Sequence, residues 1–94
     1  MSEAFLDDLV ERYSHRDDVR LVARNVHYKR GEMDVYIEFS DGRRRYLEYK
    51  CTDSHRSRRD AKAQIRRAIN YGAADEGIYV SHRDGHLVAR RYKV

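Results

Sequence analysis

The chain has 94 residues, 40% hydrophobic and 38% charged, with no proline and a formal charge of +4. This length suits one domain that buries roughly 60 to 65% of its unfolded surface. The composition argues against a disordered chain, and with neither an apolar run of bilayer length nor a signal-like opening it argues against a membrane or exported protein.

Leu6, Leu9, Val10 and Tyr13 recur at helical spacing, which predicts a short amphipathic helix over residues 3–13, with Ser2 as its cap and an acidic outer face. Asp17 and Asp18 mark a turn, and VRLVARNV, residues 19–26, reads as a strand. Gly31 separates it from GEMDVYIEFSDGRRRYLEYK, residues 31–50, whose alternation predicts a β-hairpin. Ser57 with Asp60 resembles a capping box, and Ala61, Ile65, Ala68 and Ile69 form one stripe ending at Gly72. A second helix of about four turns is expected there. Two apolar strands over 78–81 and 87–94 then flank a turn at Arg83-Asp84-Gly85. The predicted order is α-β-β-β-α-β-β.

Within the hairpin Val35, Ile37 and Phe39 share one face, and Leu47, Tyr49 and Cys51 share one on the second strand. Matching apolar faces predicts Ile37 opposite Leu47, Tyr36 opposite Glu48 and Asp34 opposite Lys50. It requires a three- or five-residue loop, because a two-residue Asp41-Gly42 turn would mix the faces. Asp34, Glu48 and Lys50 then converge. Neighbouring carboxylates repel unless a cation or proton intervenes, and oxygen ligands suit Mg²⁺, which polarises a phosphoryl oxygen and activates water. The competing reading of an isolated Glu-x-Lys triplet is a surface ion pair contributing about 0 to 1 kcal/mol. Cys51 falls on the expected core face, where a small buried residue is expected rather than a nucleophile, and a lone cysteine fits a reducing, cytoplasmic setting. The five histidines have no zinc-like spacing.

Residues 43–67 hold ten Lys or Arg against three acids, a local charge of +7, and sixteen of the twenty basic residues in the chain are Arg. Arginine grips phosphate bidentately, so a polyanion such as DNA is the natural partner. Arg43, Arg44 and Arg45 at the hairpin tip, Arg56, Arg58 and Arg59 before the second helix, and Arg30 beside Gly31 are the candidate nucleic-acid contacts, suited to backbone rather than base recognition. A solvated arginine-rich surface is the alternative.

GEMDV followed by YLEYK resembles the core of the PD-(D/E)xK nuclease superfamily, and the longer stretch LVARNVHYKRGEMDVYIEFSDGRRRYLEYKCT, about a third of the chain, is similar to small Holliday-junction-resolvase-like and YraN-like proteins. The resemblance implies a single restriction-endonuclease-like α/β domain over 1–94, with an αβββαβ core, a mixed sheet and a C-terminal strand pair. It implies a Mg²⁺-dependent DNA endonuclease, with Mn²⁺ a possible substitute, acting as a homodimer on branched DNA. Asp34 and Glu48 would bind the metal together with the carbonyl of Tyr49, and Lys50 would be the catalytic lysine. Many relatives add a first-helix Glu, for which Glu3 and Glu11 compete, and some resolvase-like branches use a second-helix Gln, here Gln64. Both residue types also occur as ordinary solvent-facing helical positions. Other readings are a nicking, end-processing or restriction-like nuclease, or a DNA-binding module that keeps the fold without turnover.

Overall fold

The computed structural model describes residues 2–83 and 86–92. Helix α1 (Ser2–Ser14) precedes β1 (Val19–Tyr28), β2 (Gly31–Phe39) and β3 (Arg44–Tyr49), and helix α2 (His55–Tyr71) precedes β4 (Glu76–Arg83) and β5 (His86–Tyr92). This is the order the sequence predicts, and the centre of the expected turn, Asp84 and Gly85, lies outside the described residues. The strands form one mixed sheet in the order β1-β2-β3-β4-β5, with β3 and β4 parallel and all other neighbours antiparallel. Parallel neighbours need a crossover that carries the chain back to the same end of the sheet, and α2 provides it. None of the described helices is long and apolar enough to cross a membrane.

The two helices cover opposite faces of the sheet. Leu6 of α1 is buried with Val35, Ile37, Phe39, Leu47 and Val80, whereas Ala61, Ile65 and Ala68 of α2 are buried with Met33, Tyr46, Ala74 and Tyr79. Central strands are therefore enclosed on both sides, so alternate residues of β3 that would be solvated in a one-sided sheet lie under α2. Gly77 shows how close that helix sits: a Cβ there would lie 2.2 Å from Cγ2 of Ile65.

Helix α2 begins three residues earlier than the Ser57 cap implies. Ser54 is the N-cap, and its hydroxyl accepts the amide of Ser57 at 3.0 Å, while Gly72 closes the other end in a left-handed conformation (φ 93°). The hairpin register also differs from the expected one. Val35 pairs with Leu47, Tyr36 with Tyr46 and Ile37 with Arg45. Ser40-Asp41-Gly42 makes the shorter of the two permitted loops, with Gly42 at φ 93° and its amide on the carbonyl of Phe39. A loop glycine that takes the left-handed conformation without strain favours the three-residue turn over the wider one. Lys50 consequently lies beyond the end of β3 rather than opposite Asp34. Cys51 follows in an exposed bend, which corrects its expected place in the core.

Candidate functional site

Asp34 and Glu48 meet where β2 and β3 part. The ladder runs from Glu38↔Arg44 to Val35↔Leu47, and one step further sets Asp34 across from Glu48. The Asp34 carboxylate turns to accept the amide of Tyr49 at 2.9 Å. On its other side β1 presents Asn25, between the pairs Arg24↔Val35 and Val26↔Met33, with a left-handed φ of 52° that Asn tolerates better than most side chains. Around this point residues two apart face different layers. Arg24 reaches Asp7 of α1 at 2.6 Å while Val26 packs in the α2 core, and Val35 belongs to the α1 core while Met33 belongs to that of α2. The β1–β2 ribbon thus coils sharply at Asn25 and Asp34. Its end curls toward α2, bringing the ring of Tyr28 within 5.4 Å of that of Tyr71.

The space beneath this curl is a cleft of about 370 Å³ lined by Tyr28, Gly31, Glu32, Asp34, Glu48, Gln64 and Arg67. Glu48 is only 4% exposed. It receives a short hydrogen bond from the Tyr46 hydroxyl, and Lys50 Nζ stands 3.3 Å from its other oxygen. Burial pushes the Glu48 carboxyl up to about 7, with the Asp34 charge adding to the rise and Tyr46 and Lys50 opposing it. Burial, with the nearby Glu48 charge, also pushes the Tyr46 phenol up, so it remains a donor. The backbone of Lys50 is pinned on both sides, its amide to the carbonyl of Val80 and its carbonyl to the Ser81 hydroxyl at 2.6 Å. Opposite the acids, Oε1 of Gln64 is buried without a hydrogen-bond partner among the described residues. Compared with family models, curated proteins and solved structures, the chain has no significant match.

Of the expected residues, Asp34, Glu48 and Gln64 line one cleft, and Lys50 lines its continuation with Asp60, Ala63, Gln64 and Arg67. Glu11 does not join them, being largely exposed and nearest to His15 at 3.9 Å. Glu3 lies in the first turn of α1, its side chain outside the described residues; two positions on, Phe5 stacks 5.1 Å from Tyr49. The arginines divide. Arg45 is buried, bonded to Glu76 and to the Tyr13 hydroxyl, which corrects its expected place on the nucleic-acid surface. Arg44 is bound to both Asp75 oxygens and to the carbonyl of Gly72, and Arg43 pairs with Asp41 over the Phe39 ring. Their hairpin tip is also remote, since the five steps of strand from Asp34 to Phe39 span roughly 17 Å. Arg30 instead sits beside the cleft with Arg67, Asn70 and Tyr71, whereas Arg58 and Arg59 line a different one.

Sequence reasoning passed over Glu32, Arg67 and Tyr46. Each had a signal in the spacing: Glu32 shares strand parity with Asp34, Tyr46 shares it with Glu48, and Arg67 follows Gln64 by three on a helix.

The donors suit a hard cation. Among the described residues no three His, Cys, Asp or Glu gather into a metal-holding group. Magnesium, however, commonly takes only one or two protein carboxylates beside water and substrate phosphate. Asp34, Glu48, the Tyr49 carbonyl and the orphaned Gln64 oxygen are donors of that type, and burial together with the neighbouring Asp34 charge, which raise Glu48, are the costs a cation would relieve.

Proposed function

We propose that this protein is a divalent-metal-dependent endonuclease of restriction-endonuclease-like fold, hydrolysing DNA phosphodiester bonds in the acidic cleft. The observation that carries the reading is the buried Glu48 facing Asp34 at the opening of β2 from β3, with Lys50 Nζ at 3.3 Å and an unsatisfied Gln64 oxygen in the same cleft. Two carboxylates and an orphaned carbonyl oxygen in one cavity are a costly arrangement that a bound cation would relieve.

Asp34, Glu48, the Tyr49 carbonyl and Gln64 are the residues to hold the cation, with Glu3 a further candidate; the bound ion supplies Lewis acidity at a phosphoryl oxygen. Lys50, fixed by its backbone bonds, holds a positive charge where negative charge grows in the transition state. Tyr46 orients Glu48 by its hydrogen bond to Oε1, and Oε2, 3.3 Å from Lys50 Nζ, is the oxygen that would hold a cation. Arg67 and Arg30, which line one cleft beside the acids, are the residues to grip backbone phosphates there. Paired cuts in a branched substrate match a two-fold dimer, which is the quaternary form we propose.

Incubation with four-way junction, flap, linear duplex and single-stranded DNA tests the reading. Cleavage in Mg²⁺ or Mn²⁺ that EDTA abolishes is expected, fastest on the junction. No cleavage of any substrate, with tight DNA binding, would transfer the protein to the second reading, a non-catalytic DNA-binding module. One observation favours that alternative: both Glu48 oxygens already have partners, Tyr46 and Lys50.

A further inference from the structure

On the opposite flank of α2 lies another cleft, of about 490 Å³, lined by His55, Arg58, Arg59 and Lys62 of the helix and by Arg90 and Tyr92 of β5. It shares no lining residue with the acidic cleft or the two spaces that continue it. Helical geometry explains the separation. Residues 55, 58, 59 and 62 form one stripe, and residues 60, 64, 67 and 71 form another on the far side of the buried Ala61, Ile65 and Ala68. One helix therefore divides two sites of opposite character.

Among the described residues no carboxylate lines this second cleft, and its neighbours neutralise it only in part. Asp53, whose side chain is fully buried, holds Arg58 at 3.0 Å, and Asp60 approaches Arg59 no closer than 3.9 Å. Lys62 stands 5.8 Å from the centroid of the Tyr92 ring. Arg59, Lys62 and Arg90 are all exposed. Four permanent cations brought together from two elements repel one another, and the fold tolerates that only at a cost that an anionic ligand would remove.

The ligand's chemistry follows from the dimensions. The helical stripe from His55 to Lys62 extends about 10 Å at 1.5 Å per residue, and one nucleic-acid strand presents a phosphate about every 3.4 Å of axis. Four successive phosphates, three steps of about 3.4 Å, match this length, whereas a single small anion would leave most of the cations unused. Arginine forks and an aromatic face are the groups that hold a sugar–phosphate backbone without reading its bases.

We infer that the cleft between α2 and β5 is a second backbone-binding site, holding a nucleic-acid segment across α2 from the acidic cleft. This rests on the DNA-binding part of the proposed function and not on catalysis. For a branched substrate, the segment is a second arm or the opposing strand.

The test is Arg59→Glu/Lys62→Glu/Arg90→Glu, with affinity for a 30-base-pair duplex and for a four-way junction read by fluorescence anisotropy in EDTA across a salt series. Affinity should fall at least about tenfold, and the slope of log K against log salt should shrink by about two to three. Unchanged affinity and slope would overturn the inference. Should the triple variant misfold, amide shifts of the wild-type protein on adding duplex decide instead: movement at 58–62 and 90–92 is expected, and silence there overturns the site. Wild-type protein that binds DNA and loses binding in the variant but never cuts would sink the nuclease reading and leave this site standing. Loss of binding to phosphatidylserine vesicles with DNA affinity intact would assign the cleft to a membrane surface and overturn it.

Discussion

Glu48 is a glutamate whose surroundings favour its neutral form. The unfolded chain releases this proton near 4.5 and the folded chain only near 7. Folding therefore takes up a proton between those values, and stability falls as pH rises through that window, by a total on the order of 3 kcal/mol, before levelling off above it. Glu48→Gln should remove most of this decline and be more stable than the wild type at pH 8, as read by denaturant midpoints at pH 5 and 8 in EDTA. A wild-type midpoint that rises between those pH values would contradict the burial of this group. Catalysis should move the other way. Glu48→Gln and Asp34→Asn should lose divalent-dependent cleavage, and Lys50→Ala should slow single-turnover cleavage by about 10² to 10³ with metal binding retained. A wild-type rate in Lys50→Ala would remove the lysine from the mechanism.

Packing of α2 on the parallel β3–β4 pair holds Gln64 and Arg67 over the acids. Gly77 lies directly under Ile65 in this packing. An alanine Cβ there, 2.2 Å from Ile65 Cγ2, cannot be accommodated without moving the helix or distorting Ile65. Gly77→Ala should cost about 1 to 3 kcal/mol. Combining it with Ile65→Ala, which removes Cγ2 and Cγ1, the two atoms nearest that Cβ, should cost less than the sum of the two single changes in a double-mutant cycle. Full additivity of the two changes would mean that helix and strand do not meet as described. Arg45 also acts at this scale, tying β3 to β4 through Glu76 and to α1 through Tyr13. Arg45→Ala leaves a buried Glu76 carboxylate without this partner and should cost about 3 to 5 kcal/mol in thermal or chemical unfolding. Little change on that substitution would return Arg45 to the surface group.

Across the whole molecule, net charge is a poor guide to the proposed DNA-binding surface because many arginines neutralise acids within the fold. Arg16, Arg20, Arg24, Arg43, Arg44 and Arg45 all pair with carboxylates. Arg30 and Arg67 flank the acidic cleft and have no such pair among the described residues. Arg30→Ala/Arg67→Ala should weaken DNA binding by about tenfold for all sequences and lower the salt slope by about two, with the unfolding midpoint preserved. A loss confined to particular sequences, at constant slope, would point to base reading. Sedimentation with junction DNA should show two protomers per junction; one protomer cutting linear duplex equally well would remove the dimeric, branched-DNA part of the proposal.

By itself the sequence determined the succession of elements, because each rests on short-range signals: the Leu6–Leu9–Val10–Tyr13 stripe, the alternation of β2, and the Ala61–Ile65–Ala68 stripe closed by Gly72. It also marked Asp34, Glu48, Lys50 and Gln64 as residues to watch. It could not choose the hairpin register, since loops centred on Asp41 and on Gly42 both keep the apolar faces matched, and the difference moves Asp34 from opposite Lys50 to opposite Glu48. Nor could it separate the arginines, because whether Arg45 meets solvent or Glu76 depends on a parallel strand that arrives only after α2 has crossed the sheet. The pKa of Glu48, the unsatisfied oxygen of Gln64 and the cleft itself came from tertiary structure alone. Each depends on enclosure from both sides, by a coiled ribbon and a helix far apart in the chain, and desolvation is a property of that enclosure and not of any local run of residues.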